Sequence, residues 1–291
     1  MRPRVAGKVV AVATAYSALR LSRREGWGAY LTELWQRRHF AWHVAMGGVR
    51  ARTSSTTLGL LWWMLDPLIL GAVFLLVFGV ILDVRRGDPA YIGFLLSGLF
   101  AFTYTRTTMM GGGNSLTSNA HLIATQRFPR MVLPIASVIE GAVAFSFSLI
   151  PFFLITGFAH GDWPGIYTVV LIPAFVFHTL FNLGLSLLVA QLVIPFRDIG
   201  NVVGHLRRIW MYMSPVIYPL DERLRNAPEA LVRILQFNPL AAILGLYRTA
   251  LLGRPTEAYH WWGSAGWAVG LVLIAAITFR RMEHKLPRYL A

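Results

Sequence analysis

Six stretches of this chain, at roughly 58–82, 91–113, 131–157, 166–193, 199–219 and 261–279, are apolar over about the length that crosses a lipid bilayer as a helix. No other property narrows the possible folds as far. Hydrocarbon offers no partner to a backbone N–H or C=O, so each stretch must satisfy its own as a helix. Composition agrees. Hydrophobic residues are 56% of the 291 and charged residues 14%, against about 25% charged in soluble domains. The expected fold is an all-α membrane protein with six transmembrane helices over 58–279.

The net charge of +14 is distributed as topology rather than as a nucleic-acid footprint. Residues 1–57 hold ten Lys/Arg against two acids, and residues 280–291 hold four against one. With both termini in the cytoplasm, Arg127, Arg130 and Arg197 join them on the inner side. The outer segments then carry only Arg85, Arg86, Arg223, Arg225, Arg233, Arg248 and Arg254. This bias fits the positive-inside rule for an even number of spans, hence a multi-pass protein of the inner cell membrane. No nucleic-acid partner is expected. There is no cysteine, so disulfides and thiolate metal sites are excluded. Arg2, Arg4 and Lys8 precede a short apolar run, Val9 to Leu19, as in a signal peptide. That run is rich in Ala, Thr and Ser and is followed by Arg20, Arg23 and Arg24, so 1–26 reads as a basic cytoplasmic tail, as does 280–291.

Three segments between the spans are distinctive. In 27–57, Trp27, Tyr30, Leu31, Leu34 and Trp35 share one helical face, with Arg37 and Arg38 off it. Aromatics beside arginines suit the headgroup zone, so this reads as an amphipathic helix on the inner leaflet; a helix packed on the bundle is the alternative. Asn114 to Arg130 is polar, follows Gly111-Gly112-Gly113, and offers Ser115, Thr117, Ser118 and Asn119 as cap or turn residues. Leu220 to His260 is apolar for a loop. Ala230–Leu235 and Leu240–Leu252 are helical in period but too short to span, and join through Phe237-Asn238-Pro239. Two short helices re-entering the outer leaflet as a gate over 220–260 are expected there.

Four motifs recur in order along the chain: Thr57-Leu58-Gly59-Leu60-Leu61-Trp62 leading to Asp66-Pro67; Phe128-Pro129-Arg130 with Leu133-Pro134; Arg197-Asp198-Ile199 with Ser214-Pro215; and Asn238-Pro239-Leu240 with Tyr247-Arg248. Over about 28–280 the chain resembles the permeases of type-2 ABC exporters, in the polysaccharide and polyol-phosphate branch that moves O-antigen, capsule, teichoic acid and mycobacterial galactan. One departure is Asp66, where the family often has Asn. The resemblance implies a homodimer, two separate P-loop ATPase subunits that bind ATP and magnesium, and a polyprenyl-diphosphate-linked glycan as cargo. The basic, Arg-rich composition looks actinobacterial, which makes cell-wall galactan the cargo to expect. The resemblance also makes 114–128 the coupling loop, with Asn119, His121 and Arg127 facing the ATPase.

The residues themselves agree by omission. No G-x-x-x-x-G-K-S/T sequence is present to cradle ATP phosphates, and no G-x-S-x-G or H-E-x-x-H suggests an enzyme or a cofactor site. Sugar rings present apolar C–H faces, so aromatic rings suit a channel along which a glycan slides. Trp62, Trp63, Phe74, Phe78, Tyr104, Tyr212 and Tyr218 lie in spans one, two and five. Interface anchoring and packing are the plainer roles for any one of them. Charges within spans are costly and tend to be functional, which singles out Asp66, Arg106 and Glu140. Arg106 is expected to pair with Glu140 or Asp66, or else to receive the lipid diphosphate, for which Arg52, Arg127 and Arg130 are further candidates. His178 and Asn182, one turn apart, are expected to hydrogen-bond across helices. Two other functions compete: a type-2 permease for small molecules or drugs, and a membrane transferase acting on polyprenyl-linked glycans.

Overall fold

A computed structural model describes residues 26–54, 56–81, 90–160, 165–196, 198–219 and 228–283. The remainder of both tails, Arg197 and the segment 220–227 of the expected gate lie outside the described residues, and so does the side chain of Phe78. Among the described residues the regular structure is entirely helical. In chain order the helices are α1 (Trp27–Gln36), α2 (Arg38–Ser54), α3 (Leu61–Phe74, continued by a π-helical stretch Leu75–Ile81), α4 (Ala90–Ser118), α5 (Ala120–Thr125), α6 (Val132–His160), α7 (Leu171–Val193, entered by a 3-10 turn Ile166–Val170), α8 (Ile199–Met213), α9 (Glu229–Gln236), α10 (Pro239–Leu252) and α11 (Ala258–Glu283). Three segments among the described residues, Val132–Phe158, Ile166–Val193 and Ala258–Glu283, are long and apolar enough to cross a membrane.

α4 sits between α6 and α7, and α11 runs along α7. α3 lies on the outside of this group against α4 and α6, and α2 packs along α6. One core cluster, around Phe94, Leu99, Phe100, Phe152, Leu244 and Tyr247, joins α4, α6, α7 and α10. A second, around Leu116, Leu133, Leu187 and Phe279, closes the other end of the bundle and takes in Tyr30 of α1.

The triglycine is not a helix end. α4 runs through it to Ser118, because Gly111 faces Ser137 of α6, while Gly112 and Gly113 face Ser186 and Val189 of α7. Small residues let the backbones approach, which is how helices hold together where lipid supplies no hydrophobic drive. The hydroxyls expected to cap or turn the chain bond back within the helix instead, Ser115 to the Gly112 carbonyl and Thr117 to the Asn114 carbonyl. The break comes at Asn119, whose amide donates to the Ser115 carbonyl at 2.8 Å.

The aromatic stripe of the amino-terminal segment divides. Tyr30 is buried and Leu34 packs on the second core, whereas Trp27, Leu31 and Trp35 stay exposed. Arg280 of α11 lies over Trp27 at 4.4 Å, so α1 is both docked on the bundle and apolar outward.

α10 shows helix boundaries written in the sequence. Asn238 accepts from the Leu240 N–H at 3.1 Å, Pro239 occupies the first turn, and Gly253 ends the helix in the left-handed region at φ 63°. From Leu240 to Leu251 it is buried on every side. Arg248, expected as an outer-loop charge, is instead inside, with its guanidinium 3.5 Å over the Phe94 ring and donating to the Pro215 carbonyl. Asn238 also donates to Ser214 Oγ at 2.9 Å and accepts from Trp210 Nε1 at 3.0 Å, so it ties the end of α8 to the start of α10. Asn238→Ala removes the cap and both ties. We expect a loss of about 1–2 kcal/mol, read as a lowered melting temperature of the purified protein. Asn238→Asp keeps the acceptor and should fall between; an unchanged melting temperature in both variants contradicts this account.

Candidate functional site: a crevice and a two-faced helix

α3, α4 and α6 enclose a crevice of about 350 Å³. Its wall brings together Arg52, Trp62, Trp63, Asp66, Tyr104, Arg106 and Glu140, which the sequence scatters over 89 positions. Pro67 helps to shape it, since a proline within α3 leaves a carbonyl one turn back without its helical donor.

Arg106 does not pair with Glu140. The Glu140 carboxylate instead meets Arg52 Nε at 2.9 Å, across from α2. The reason is helix packing: α2 lies along α6, and a Cβ at Gly48, one turn before Arg52, would stand 2.7 Å from the Glu140 carboxylate. Asp66 is exposed, and no salt bridge among the described residues involves it or Arg106. Trp62 is 39% exposed, and Trp63 sits edge-on to Phe147 at 6.2 Å.

Tyr104 lines the crevice from a ring that belongs to the core. It is 2% exposed, stacks on Phe145 at 5.2 Å and donates to Thr179 Oγ1 at 3.0 Å. His178 beside it hydrogen-bonds with Thr105 Oγ1 at 2.7 Å and with the Tyr247 hydroxyl at 3.2 Å, the expected cross-helix role. Asn182, a turn further along α7, is fully buried. No group of three His, Cys, Asp or Glu converges as metal ligands among the described residues.

Other candidates lie apart from the crevice. Phe74 is half-buried against the main core, Tyr212 is exposed on α8, and Tyr218 donates to the Tyr212 carbonyl at 2.9 Å. His121 on α5 and Arg127 just beyond it are both exposed. Arg130 is committed elsewhere: its backbone N–H donates to Glu283 Oε1 at 2.7 Å and its guanidinium to the Glu283 carbonyl. Burial lowers the pKa of Arg130, and the neighbouring Glu283 opposes that shift.

The sequence reading placed α8 within the fifth expected span, 199–219, but missed its two faces. Val203 is buried, and Arg207 and Trp210 on the same side are half-buried. Opposite them, Asn201, His205, Arg208 and Tyr212 recur at i, i+4, i+7 and i+11 and are all exposed. A separate apolar stripe, Val202, Leu206, Ile209 and Met213, is exposed as well. α8 touches the rest of the chain lightly, through α4, α7 and the tie of Trp210 to Asn238 at the start of α10. Arg207 stands within electrostatic reach of Arg106 and of Arg208. The available signal was two adjacent arginines inside an expected span.

Comparison with known proteins gives the following. An O-antigen export system permease protein, RfbA, of Myxococcus xanthus is 31% identical over 74% of this chain and 81% of its own length. Two RfbA proteins of Klebsiella pneumoniae are 28% and 27% identical, each over 69% of this chain and 75% of their own length. No protein-family model matches the chain.

Proposed function

This chain belongs to the family of type-2 ABC permeases that includes the O-antigen export permeases, and we propose that it is the membrane subunit of an ATP-driven polysaccharide exporter. In this reading it works as a homodimer with two separate ATPase subunits, which bind the ATP and magnesium. The cargo is a polyprenyl-diphosphate-linked glycan such as cell-wall galactan. Six spans cross the inner membrane with both termini inside, α1 and α2 lie at the inner leaflet, and α9 and α10 re-enter from outside.

One observation carries the reading. α8 turns a stripe holding His205 and Arg208 away from its own bundle. Such side chains do not face hydrocarbon, so the stripe needs water or protein before it. A channel between two copies supplies both, and the neighbouring apolar stripe of α8 gives the second copy a surface to pack on. The exposed stripe Ile69, Val73, Leu76 and Val80 of α3 and its continuation suits the same contact or lipid. In the cycle this implies, closure of the ATPases pushes on α5, α3 and α8 of the two copies part, and the glycan advances past Trp62 and Trp63.

The test is purification from native cells in mild detergent. We expect a P-loop ATPase at roughly equal stoichiometry. Arg127→Glu, beside α5, should keep that association yet lower the glycan exported per ATP by several-fold. Recovery of the chain alone, stable and without an ATPase, removes the exporter reading.

A further inference from the structure

Where the chain leaves α5 it is gripped from two sides. On one side Phe128 packs edge-on against Phe40 of α2, with ring centres 5.1 Å apart. On the other, Arg130 meets Glu283 of α11 twice. Its backbone N–H donates to Glu283 Oε1 at 2.7 Å, and its guanidinium donates to the Glu283 carbonyl. Pro129, between the two grips, is buried. α5 itself is six residues long, and its His121, Ala124 and Thr125 are exposed.

The Glu283 carboxylate holds backbone, which cannot rotate away as a side chain can. Arg130 stands two residues before α6, where the Val132 and Leu133 N–H groups donate back to the Pro129 and Arg130 carbonyls. The Arg130 N–H precedes them and has no helical acceptor, and a negative charge beside a helix N-terminus is also favoured by the helix dipole. Glu283 supplies both from a distant helix. It is half-buried, so the bond offsets the water that its carboxylate gives up. The same end of α11 carries Arg280, over Trp27 at 4.4 Å and over Tyr30 at 5.1 Å, which draws α1 into the junction. On the other side, α2 continues from Phe40 to Arg52, whose pair with Glu140 stands in the crevice wall.

We propose that Glu283 is a positioning residue for coupling. With Phe40 it clamps the chain at the exit of α5, so that a displacement of α5 is passed to α11 and α2 instead of being absorbed in the loop. A backbone held by a hydrogen bond on one side and a packed ring on the other moves only with the helices that hold it. This rests on the export reading, in which α5 meets the ATPase, and names the residues through which that contact acts on the bundle. α2 then carries the movement to Arg52 and Glu140 at the crevice.

The test compares surface polysaccharide in cells with ATP hydrolysis and melting temperature of the purified permease–ATPase complex. E283A frees the Arg130 N–H and should lower the polysaccharide exported per ATP about five-fold while the ATPase stays associated. E283Q keeps an acceptor oxygen and should retain most of the wild-type ratio. F40A releases the other side of the same segment and should lower the ratio as well, which decides the matter if E283A fails to assemble. F279A is the control for a merely structural role, since Phe279 is 1% exposed in the second core, one turn before Glu283. It should lower the melting temperature most and leave the ratio at its wild-type value. A wild-type ratio in E283A or in F40A overturns the proposal, as does an equal fall in F279A and E283A. A wild-type complex without an ATPase instead removes the export reading, and this proposal with it.

Discussion

Tyr104→Ala is expected to cost about 3–5 kcal/mol and to lower the yield of folded complex sharply, as removal of a buried aromatic does. Its ring is 2% exposed, stacked on Phe145 and edge-on to His178 at 4.7 Å, so truncation opens a cavity where α4, α6, α7 and α10 meet. Tyr104→Phe keeps the ring and gives up only the bond to Thr179, about 1 kcal/mol. Trp62→Ala should behave differently, although both residues line one crevice. Trp62 is 39% exposed, so its loss should leave stability within about 0.5 kcal/mol and act on transport. Melting temperature and surface polysaccharide, measured on the three variants together, separate these effects. A stable, well-assembled Tyr104→Ala protein contradicts the core role. Normal export by Trp62→Ala removes that ring from the glycan path.

The second large effect is at the crossing of α4 and α7. A Cβ at Gly112 would stand 2.8 Å from the Ser186 Cα, which is backbone and cannot rotate away. Gly112→Ala must therefore push the helices apart, at a cost of about 1–3 kcal/mol or more. At the neighbouring Gly111 the nearest atom to an added Cβ is the Ser137 Cβ at 3.4 Å, so the methyl almost fits. Gly111→Ala is expected to be neutral, or to gain part of the roughly 1 kcal/mol by which Ala exceeds Gly in a helix. Thermal melts of the two single variants decide the point. Equal stability means that the triglycine is not a packing seam.

The Arg52–Glu140 pair shows why charge pairs resist sequence reasoning. The sequence offered Arg106 as the partner because both lie in expected spans, whereas Arg52 lies before them. What settles the pairing is the line of α2 along α6, and no local pattern reports that line. The same limit applies to Tyr104, whose aromatic character suited a channel but whose neighbours make it core.

From the sequence alone came whatever depends on a residue's immediate neighbours along the chain. Apolar length gave the helices, the Phe237-Asn238-Pro239 joint and the helical period of Leu240–Leu252 gave the bounds of α10, and four ordered motifs gave a family that the comparisons bear out. These were legible because backbone satisfaction, capping and hydropathy act over one or two turns. Tertiary structure alone decided which face of α8 is left outward, that Arg248 is buried over Phe94, and that Glu283 holds Arg130. Each depends on where a distant helix lies. A side chain's burial and charge partners are set by packing across the bundle, and residues equally polar in sequence become core, tie or cargo contact only there.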